Sequence, residues 1–499
     1  MKLNKDTVYT KLICYGLFPE KLEKILTSVK FGLWIKKNES VVCISEKKSF
    51  SLLQYRLTRN NNAPRLLGIP NPFGYNRLCV LIRDYWDKFD TIFSNSEYIK
   101  KSSVIPKDNN TNNRLITMVE YTDSTKVEQK LVDFRFGKKC LIYADIAACY
   151  SSIYTHSIGW ALVGKDVAKN GMCNEKEWYN QIDKACQNLQ DRETRGVPAG
   201  PDTSRVLSEI ILAKIDIAMS KYTYTRYVDD FVCMCESIKE SNDFINDLSK
   251  NLEEYRLYLN HDKTSTVYLP KAINEPRVHK LNLLSELKIV GNNDKDKIVA
   301  YIDETSELYH LYPKESIIRY SAQELRKLDY ENFESYWLVF KYLLNMFFLF
   351  PYIADVLDDF IEKGIKKYYG LMNEIKKTLK TTIKNILKEH IQYNRSDAVV
   401  WSLFLAIKYE IQFEDDVQIS DMIIKSKDCL PTLLSYLYNK INKNEVKQYL
   451  DLLKKINDKE WWLFDYEVRR IEKLKMNEEM EILNQAGISF LSNTITSKL

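Results

Sequence analysis

The segment Tyr222-Thr-Tyr-Thr-Arg-Tyr227-Val-Asp229-Asp230-Phe-Val-Cys-Met-Cys235 decides the reading of this chain. Two runs rich in β-formers, Tyr222–Arg226 and Phe231–Cys235, flank Tyr227-Val-Asp229-Asp230. This pattern predicts a tight hairpin with two acidic residues at its tip. Successive strand residues point to opposite faces, so one aspartate should face a ligand and the other support it. Taken alone the signal is weak, because an Asp-Asp turn between strands is more often a plain solvated turn.

A second carboxylate supplies the context. Asp145 ends the apolar run Cys140-Leu-Ile-Tyr-Ala-Asp145. Burying a carboxylate there is costly unless it is paired or bound to metal. Carboxylates on adjacent strands can hold two Mg²⁺ ions about 3.5–4 Å apart. One ion activates an attacking hydroxyl, and the other neutralises charge on a leaving pyrophosphate. Magnesium takes oxygen ligands, typically one or two protein carboxylates plus phosphate oxygens. Asp145, Asp229 and Asp230 therefore suffice for nucleotidyl transfer.

Several motifs carry a resemblance to reverse transcriptases. Ala144-Asp145-Ile-Ala-Ala-Cys-Tyr150-Ser-Ser-Ile-Tyr154-Thr-His156-Ser-Ile resembles their motif A. Arg195-Gly196-Val-Pro198-Ala-Gly200-Pro201-Asp-Thr-Ser204 resembles motif B. Tyr227-Val-Asp229-Asp230 resembles motif C, and Leu257-Tyr-Leu-Asn260-His-Asp-Lys263-Thr264 resembles motif D. Arg65-Leu-Leu-Gly-Ile-Pro70-Asn-Pro72, with the helix Leu78–Phe93, resembles the leading fingers segment. Order and spacing match across roughly residues 55–270. The motif A and B variants are similar to those of bacterial abortive-infection reverse transcriptases of the AbiK/AbiA kind, and of other defence-associated ones.

The resemblance implies an α+β fold, a right-hand polymerase with fingers and palm, followed by an all-α domain in place of a usual thumb. It implies metal ligands at Asp145, Ile146, Asp229 and Asp230, and two Mg²⁺ per site with Mn²⁺ as a substitute. Tyr150 would block a ribose 2′-hydroxyl, so that dNTPs are preferred. Gly196, Pro198 and Gly200 precede a helical run, Ser204–Ser220. Glycines permit close backbone approach to a nucleotide, and a helix N-terminus favours anions. Lys263 would approach the triphosphate as pyrophosphate leaves. Arg65, Arg77, Arg114, Lys138 and Lys139 are the basic residues of the fingers open to phosphate. His156 has no second His or Cys at ligand spacing and reads as a packing or capping residue.

Composition and texture set the frame. At 499 residues the chain exceeds a single core, and 45% hydrophobic residues exclude a disordered protein. Residues 1–140 carry 25 Lys/Arg against 14 Asp/Glu, and residues 141–270 carry 14 against 19. A basic third beside an acidic middle suits a polyanion track next to a metal site. The cysteines form no paired or zinc-binding framework, as expected of reduced thiols in a cytoplasmic protein, and the resemblance implies that the cytoplasm is bacterial. The most apolar stretch, Trp337–Leu357, contains Lys341, Asn345, Pro351 and Asp355 and reads as a buried helix, not a membrane span. Up to about residue 270, β-like and helical runs alternate. Beyond 290, helix-period patterns such as Phe360–His390 and Val446–Ile456 follow one another, HEAT-like in texture but with no clean repeat period. The expected organisation is an N-terminal segment and fingers at 1–140, a palm at 141–270, a junction at 271–296 and a helical domain at 297–499.

Three functions follow. The first, implied by the resemblance, is a defence-type DNA polymerase acting on dNTPs without an ordinary template and priming on its own tyrosine, so that single-stranded DNA ends up attached to protein. Tyr9, Tyr15, Tyr55, Tyr436 and Tyr438 are equally unmarked for that role. The second is an RNA-templated, retron-like enzyme with a bound RNA. The third is a helical scaffold with a degenerate palm, which the intact Asp145, Asp229, Asp230 and Tyr150 oppose. A nucleotide cyclase leaves the motif B and D segments unexplained. Apolar helical surfaces after residue 300 suggest a homo-oligomer.

Overall fold

A computed structural model describes residues 3–39, 48–59, 64–108, 113–116, 131–272, 281, 295–313, 315–368, 370, 372–413, 416–456 and 459–499. The junction expected at 271–296 falls mostly outside these residues. Among them are six named strands: β1 (Leu53–Leu57), β2 (Arg65–Ile69), β3 (Cys140–Asp145), β4 (Tyr224–Tyr227), β5 (Asp230–Cys235) and β6 (Ser265–Tyr268). β1 and β2 pair with each other, and the other four form an antiparallel sheet in the order β4-β5-β3-β6.

The register of that sheet decides which side chains share a face. Asp145 lies opposite Asp230, Tyr143 opposite Val232 and Leu141 opposite Met234. Opposed residues of an antiparallel pair point the same way, so Asp145 and Asp230 share one face. The other face carries Ile142, Ala144, Phe231 and Cys233, all buried. The helix Ile238–Glu254 covers it, with Phe244 packed against Tyr222 and Tyr224 at ring distances of 5.3 and 5.6 Å. That helix begins where its sequence says it should: the Ser237 hydroxyl caps the Glu240 N–H at 3.1 Å.

The chain divides into two units. The first comprises Met1–Leu53, Gly68–Ile273 and Leu483–Phe490; the second comprises Gln54–Leu67, Asn274–Ile482 and Leu491–Leu499. Within the first, Phe490 closes onto Phe18 and Phe31 at 6.0 and 5.7 Å, and its carbonyl accepts the Thr27 N–H at 2.8 Å. Within the second, the N–H groups of Arg56 and Thr58 donate to Ser396 Oγ (3.0 Å) and Asp397 Oδ2 (2.8 Å). Side chains at the start of the helix Ser396–Lys408 thus satisfy strand donors that would otherwise need a further strand.

From Lys295 on, the described elements of the second unit are helical, in keeping with the α+β class with an added helical region. The apolar stretch at Trp337 is the helix Phe333–Leu349, which buries Val339, Phe340, Leu343, Leu344 and Phe347. Asn332 caps its start, and it ends at Phe350-Pro351, because a proline ring disfavours helical backbone in the residue before it. The run Phe360–His390 is two helices, Ala354–Lys367 and Met372–His390. Leu78–Phe93 likewise divides into Pro72–Asp84 and Trp86–Phe93. No helix among the described residues is long and apolar enough to cross a membrane.

Candidate active site

The paired residues Tyr227 and Asp230 close a two-residue loop, Val228-Asp229. Val228 has φ +55°, a region that a β-branched residue rarely adopts. Its side chain is buried and its carbonyl accepts a hydrogen bond from Arg226 Nη1 at 2.8 Å. The Asp229 carbonyl accepts the Ile146 N–H at 3.3 Å, which joins the turn to the residue after Asp145.

Asp145 is buried at the end of β3, and other side chains already use both its oxygens. Lys263 Nζ donates to Oδ2 at 2.6 Å and Asn260 Nδ2 to Oδ1 at 3.1 Å. The Asp145 carbonyl accepts the Asn260 N–H at 2.7 Å, and Ala147 N–H donates to the Tyr258 carbonyl at 2.9 Å. Neither backbone bond uses the Ile146 carbonyl. Partial burial, then the charge of Asp229, then the hydrogen bond and charge of Asp145 push the Asp230 carboxyl up to about 6, while Lys263 pulls it down. The Lys263 ammonium is raised in turn, first by its hydrogen bond to Asp145. Carboxylates offer only oxygen donors, the kind a hard divalent cation takes. As they stand, no three His, Cys, Asp or Glu side chains among the described residues are gathered around one point. Lys263 holds the Asp145 oxygen that a cation would need.

The glycine-rich loop lies against motif A. Gly196 N–H donates to the Ile153 carbonyl (2.7 Å) and Val197 N–H to the Tyr150 carbonyl (2.9 Å). Gly196 and Gly200 have φ +87° and +129°, which only glycine adopts readily. Pro198 packs beside Gly68, whose N–H donates to the Ala199 carbonyl at 2.9 Å. Tyr150 is half-buried, and burial pushes its phenol well up, with Arg205 the main opposing influence.

Residues 91–308 match the family model described as reverse transcriptase (RNA-dependent DNA polymerase). This segment, a little under half of the chain, resembles a reverse-transcriptase domain. Three solved structures with distant likeness are telomerases. Apo telomerase of Candida tropicalis lacking its C-terminal domain shares 14% identity at TM-score 0.30, over 48% of this chain and 54% of that one. The apo telomerase of Candida tropicalis shares 12% at 0.33, over 79% and 70%. Candida albicans telomerase in complex with a fragment of telomeric RNA shares 13% at 0.31, over 82% and 67%. The chain thus spans about half the length of the first of these. No curated protein sequence matches it.

The five basic residues expected in the fingers are differently placed. Arg114 is buried: it donates to Glu23 (2.6 Å), Asp202 (2.8 Å) and the Phe18 carbonyl (2.7 Å). It is an internal ion-pair partner, not a phosphate contact. Asp202 also takes the anion position in the first turn of the helix Asp202–Ala218, so that helix N-terminus is already neutralised from within. Lys138 pairs with Glu236 at 2.7 Å, and Lys139 shares backbone bonds with Cys235 and Leu269. Both lie at the far end of β3, about 20 Å from Asp145 at ~3.3 Å per residue. Arg77 is half-buried on the helix Pro72–Asp84, and Arg65 is exposed at the start of β2 in the segment grouped with the second unit.

Asn260, Arg226, Glu209 and Asp216 bear on the site although no sequence motif assigns them a role. Alternation offered one signal: Tyr222, Tyr224 and Arg226 share a strand face, and a charge on a buried face demands partners. His156 is more than a packing residue, because its Nδ1 is hydrogen-bonded to Asp183. That bond raises the imidazole above its ordinary value. A raised folded-state value stabilises fully below the unfolded value of about 6.5 and is lost as pH rises through the folded value. Asp183→Asn should therefore lower the melting temperature more at pH 6 than at pH 8.5. Equal losses at both pH values would dismiss the charged pair.

Proposed function

We propose that the protein is a polymerase of the reverse-transcriptase kind that adds dNTPs to a hydroxyl at Asp145, Asp229 and Asp230. The observation that carries this is the β3–β5 register, which sets Asp145 opposite Asp230 with Asp229 in the adjoining turn. Divalent cations bound there, Mg²⁺ or Mn²⁺, would lower the pKa of the attacking hydroxyl and offset charge on the departing pyrophosphate. Asp145, Asp229 and Asp230 would hold them, with Ile146 contributing its carbonyl. Tyr150 selects against a 2′-hydroxyl, and Gly196, Pro198 and Gly200 shape the nucleotide's bed. Lys263, mostly solvent-exposed, approaches the triphosphate as pyrophosphate leaves. Arg65 and Arg77 serve as further phosphate contacts.

The finer reading is a bacterial, cytoplasmic phage-defence enzyme whose synthesis is untemplated and primed by a tyrosine. It draws on the motif A and B variants, and no disulfide forms among the described cysteines, as suits a reducing compartment. A priming hydroxyl must be reachable. Tyr9, Tyr55, Tyr436 and Tyr438 are buried, which leaves Tyr15, half-exposed, of the five tyrosines named above. The match to an RNA-dependent polymerase model favours a second reading, copying of a bound RNA. Purified protein incubated with Mg²⁺ and labelled dNTPs, with and without RNA, tests both. Product of random sequence bound to a tyrosine supports the first; product complementary to copurified RNA supports the second. No incorporation under any condition rejects the polymerase. A homo-oligomer completes the proposal, resting on exposed Leu311, Leu349 and Val417 in the helical half; light scattering that gives a monomer at micromolar concentration would remove it.

A further inference from the structure

A buried arginine lies beneath the turn that carries Asp229. Arg226 is fully enclosed, and all three guanidinium nitrogens are engaged. Nε donates to Asp216 Oδ2 at 3.0 Å. Nη1 donates to Glu209 Oε1 at 2.9 Å and to the Val228 carbonyl at 2.8 Å. Nη2 donates to Glu209 Oε2 at 3.0 Å and Asp216 Oδ2 at 2.6 Å.

Glu209 and Asp216 are both buried, and they stand seven residues apart on the helix Asp202–Ala218, two turns along one face. They are tied down in turn. Tyr98 donates to Glu209 Oε2 at 3.2 Å and Tyr224 to Asp216 Oδ1 at 2.8 Å. Lys101 Nζ donates to the Asp216 carbonyl at 3.1 Å. A buried ion cluster of this kind is poorly explained by stability, since well-packed apolar side chains often do as well. The guanidinium does one thing an apolar side chain cannot: it holds the carbonyl of Val228, the residue at φ +55°. Backbone held in so sparsely populated a region persists only where its surroundings over-determine it.

We propose that Arg226, braced by Glu209 and Asp216, is a positioning residue that clamps the Val228-Asp229 turn and so sets the Asp229 carboxylate relative to Asp145. The inference rests on the polymerase reading of the three aspartates. It extends that reading to a cluster that touches neither substrate nor metal. Since displacement of a reacting group by 1 Å can cost about a hundredfold in rate, a loosened turn should be visible in catalysis.

The test compares the full-length protein with Arg226→Lys. Lysine keeps the charge, but one ammonium cannot span two carboxylates and a carbonyl. Three quantities are read: thermal unfolding, Mn²⁺ binding from the free-ion EPR signal, and dNTP incorporation. Mn²⁺ affinity should fall roughly fivefold and kcat roughly tenfold or more, with KM for dNTP within about twofold. Unchanged metal affinity in folded Arg226→Lys overturns the proposal, whatever happens to melting temperature. Where Arg226→Lys does not fold, Glu209→Gln, which keeps the shape of the cluster, carries the same readouts. Misfolding of both variants also overturns it, because the cluster then serves the fold and not the turn. Wild-type protein that neither binds Mn²⁺ nor incorporates dNTPs fails the polymerase reading itself, a different result from an indifferent variant.

Discussion

Asp229→Ala should reduce dNTP incorporation by about a thousandfold or more, equivalent to ~4 kcal/mol of activation free energy, while leaving the fold intact. The bonds that hold the turn are accepted by backbone carbonyls, Val228 from Arg226 and Asp229 from Ile146, and alanine keeps both. The substitution also removes a charge that pushes the Asp230 carboxyl up, so it relieves repulsion in the folded state. Primer extension and thermal melts on the same preparation check both halves. Activity within tenfold of wild type would remove Asp229 from the chemistry and leave the hairpin a structural turn.

Arg114→Ala should act in the opposite sense, with a large loss of stability. Its guanidinium is enclosed with Asp202, whose own carboxyl is pushed up first by burial and held down by Arg114. Asp202 Oδ2 has no hydrogen-bond partner, so losing the arginine leaves a buried carboxylate with Arg205 Nη1, 3.2 Å from Oδ1, as its remaining cation. Breaking such a pair costs roughly 3–5 kcal/mol. Denaturant unfolding of Arg114→Ala measures this, and the double change Arg114→Met with Asp202→Leu should recover much of it. A phosphate-binding arginine would behave otherwise. Normal stability with weakened nucleotide or nucleic-acid binding would restore the role that the sequence suggested.

These two residues mark what can be read from sequence and what cannot. β3 and the β4–β5 hairpin were legible because a strand-end aspartate and an acidic turn are local patterns, carried by six or fourteen consecutive residues. The helical half was legible because its seams, such as Ile375, Leu379 and Ile383, repeat at helical spacing. Arg114 was not. Nothing in its neighbourhood differs from a surface arginine, and its partners Glu23 and Asp202 lie 91 and 88 residues away. The Arg226 cluster is intermediate. Strand alternation turns the arginine inward, but only the folded helix brings Glu209 and Asp216 to it. Helix breaks at Tyr85 and Tyr368 also escaped, since the apolar period continues across them.

Each of the two units is assembled from three separated segments of the chain. The backbone passes from one unit to the other five times, at Leu53/Gln54, Leu67/Gly68, Ile273/Asn274, Ile482/Leu483 and Phe490/Leu491. No single scission can release either one whole. Ending the chain after Ile273 would leave Phe18 and Phe31 without Phe490, and would strand residues 54–67 away from Ser396 and Asp397. Neither unit is therefore whole without chain from beyond residue 273, and a truncation there takes packing partners from both.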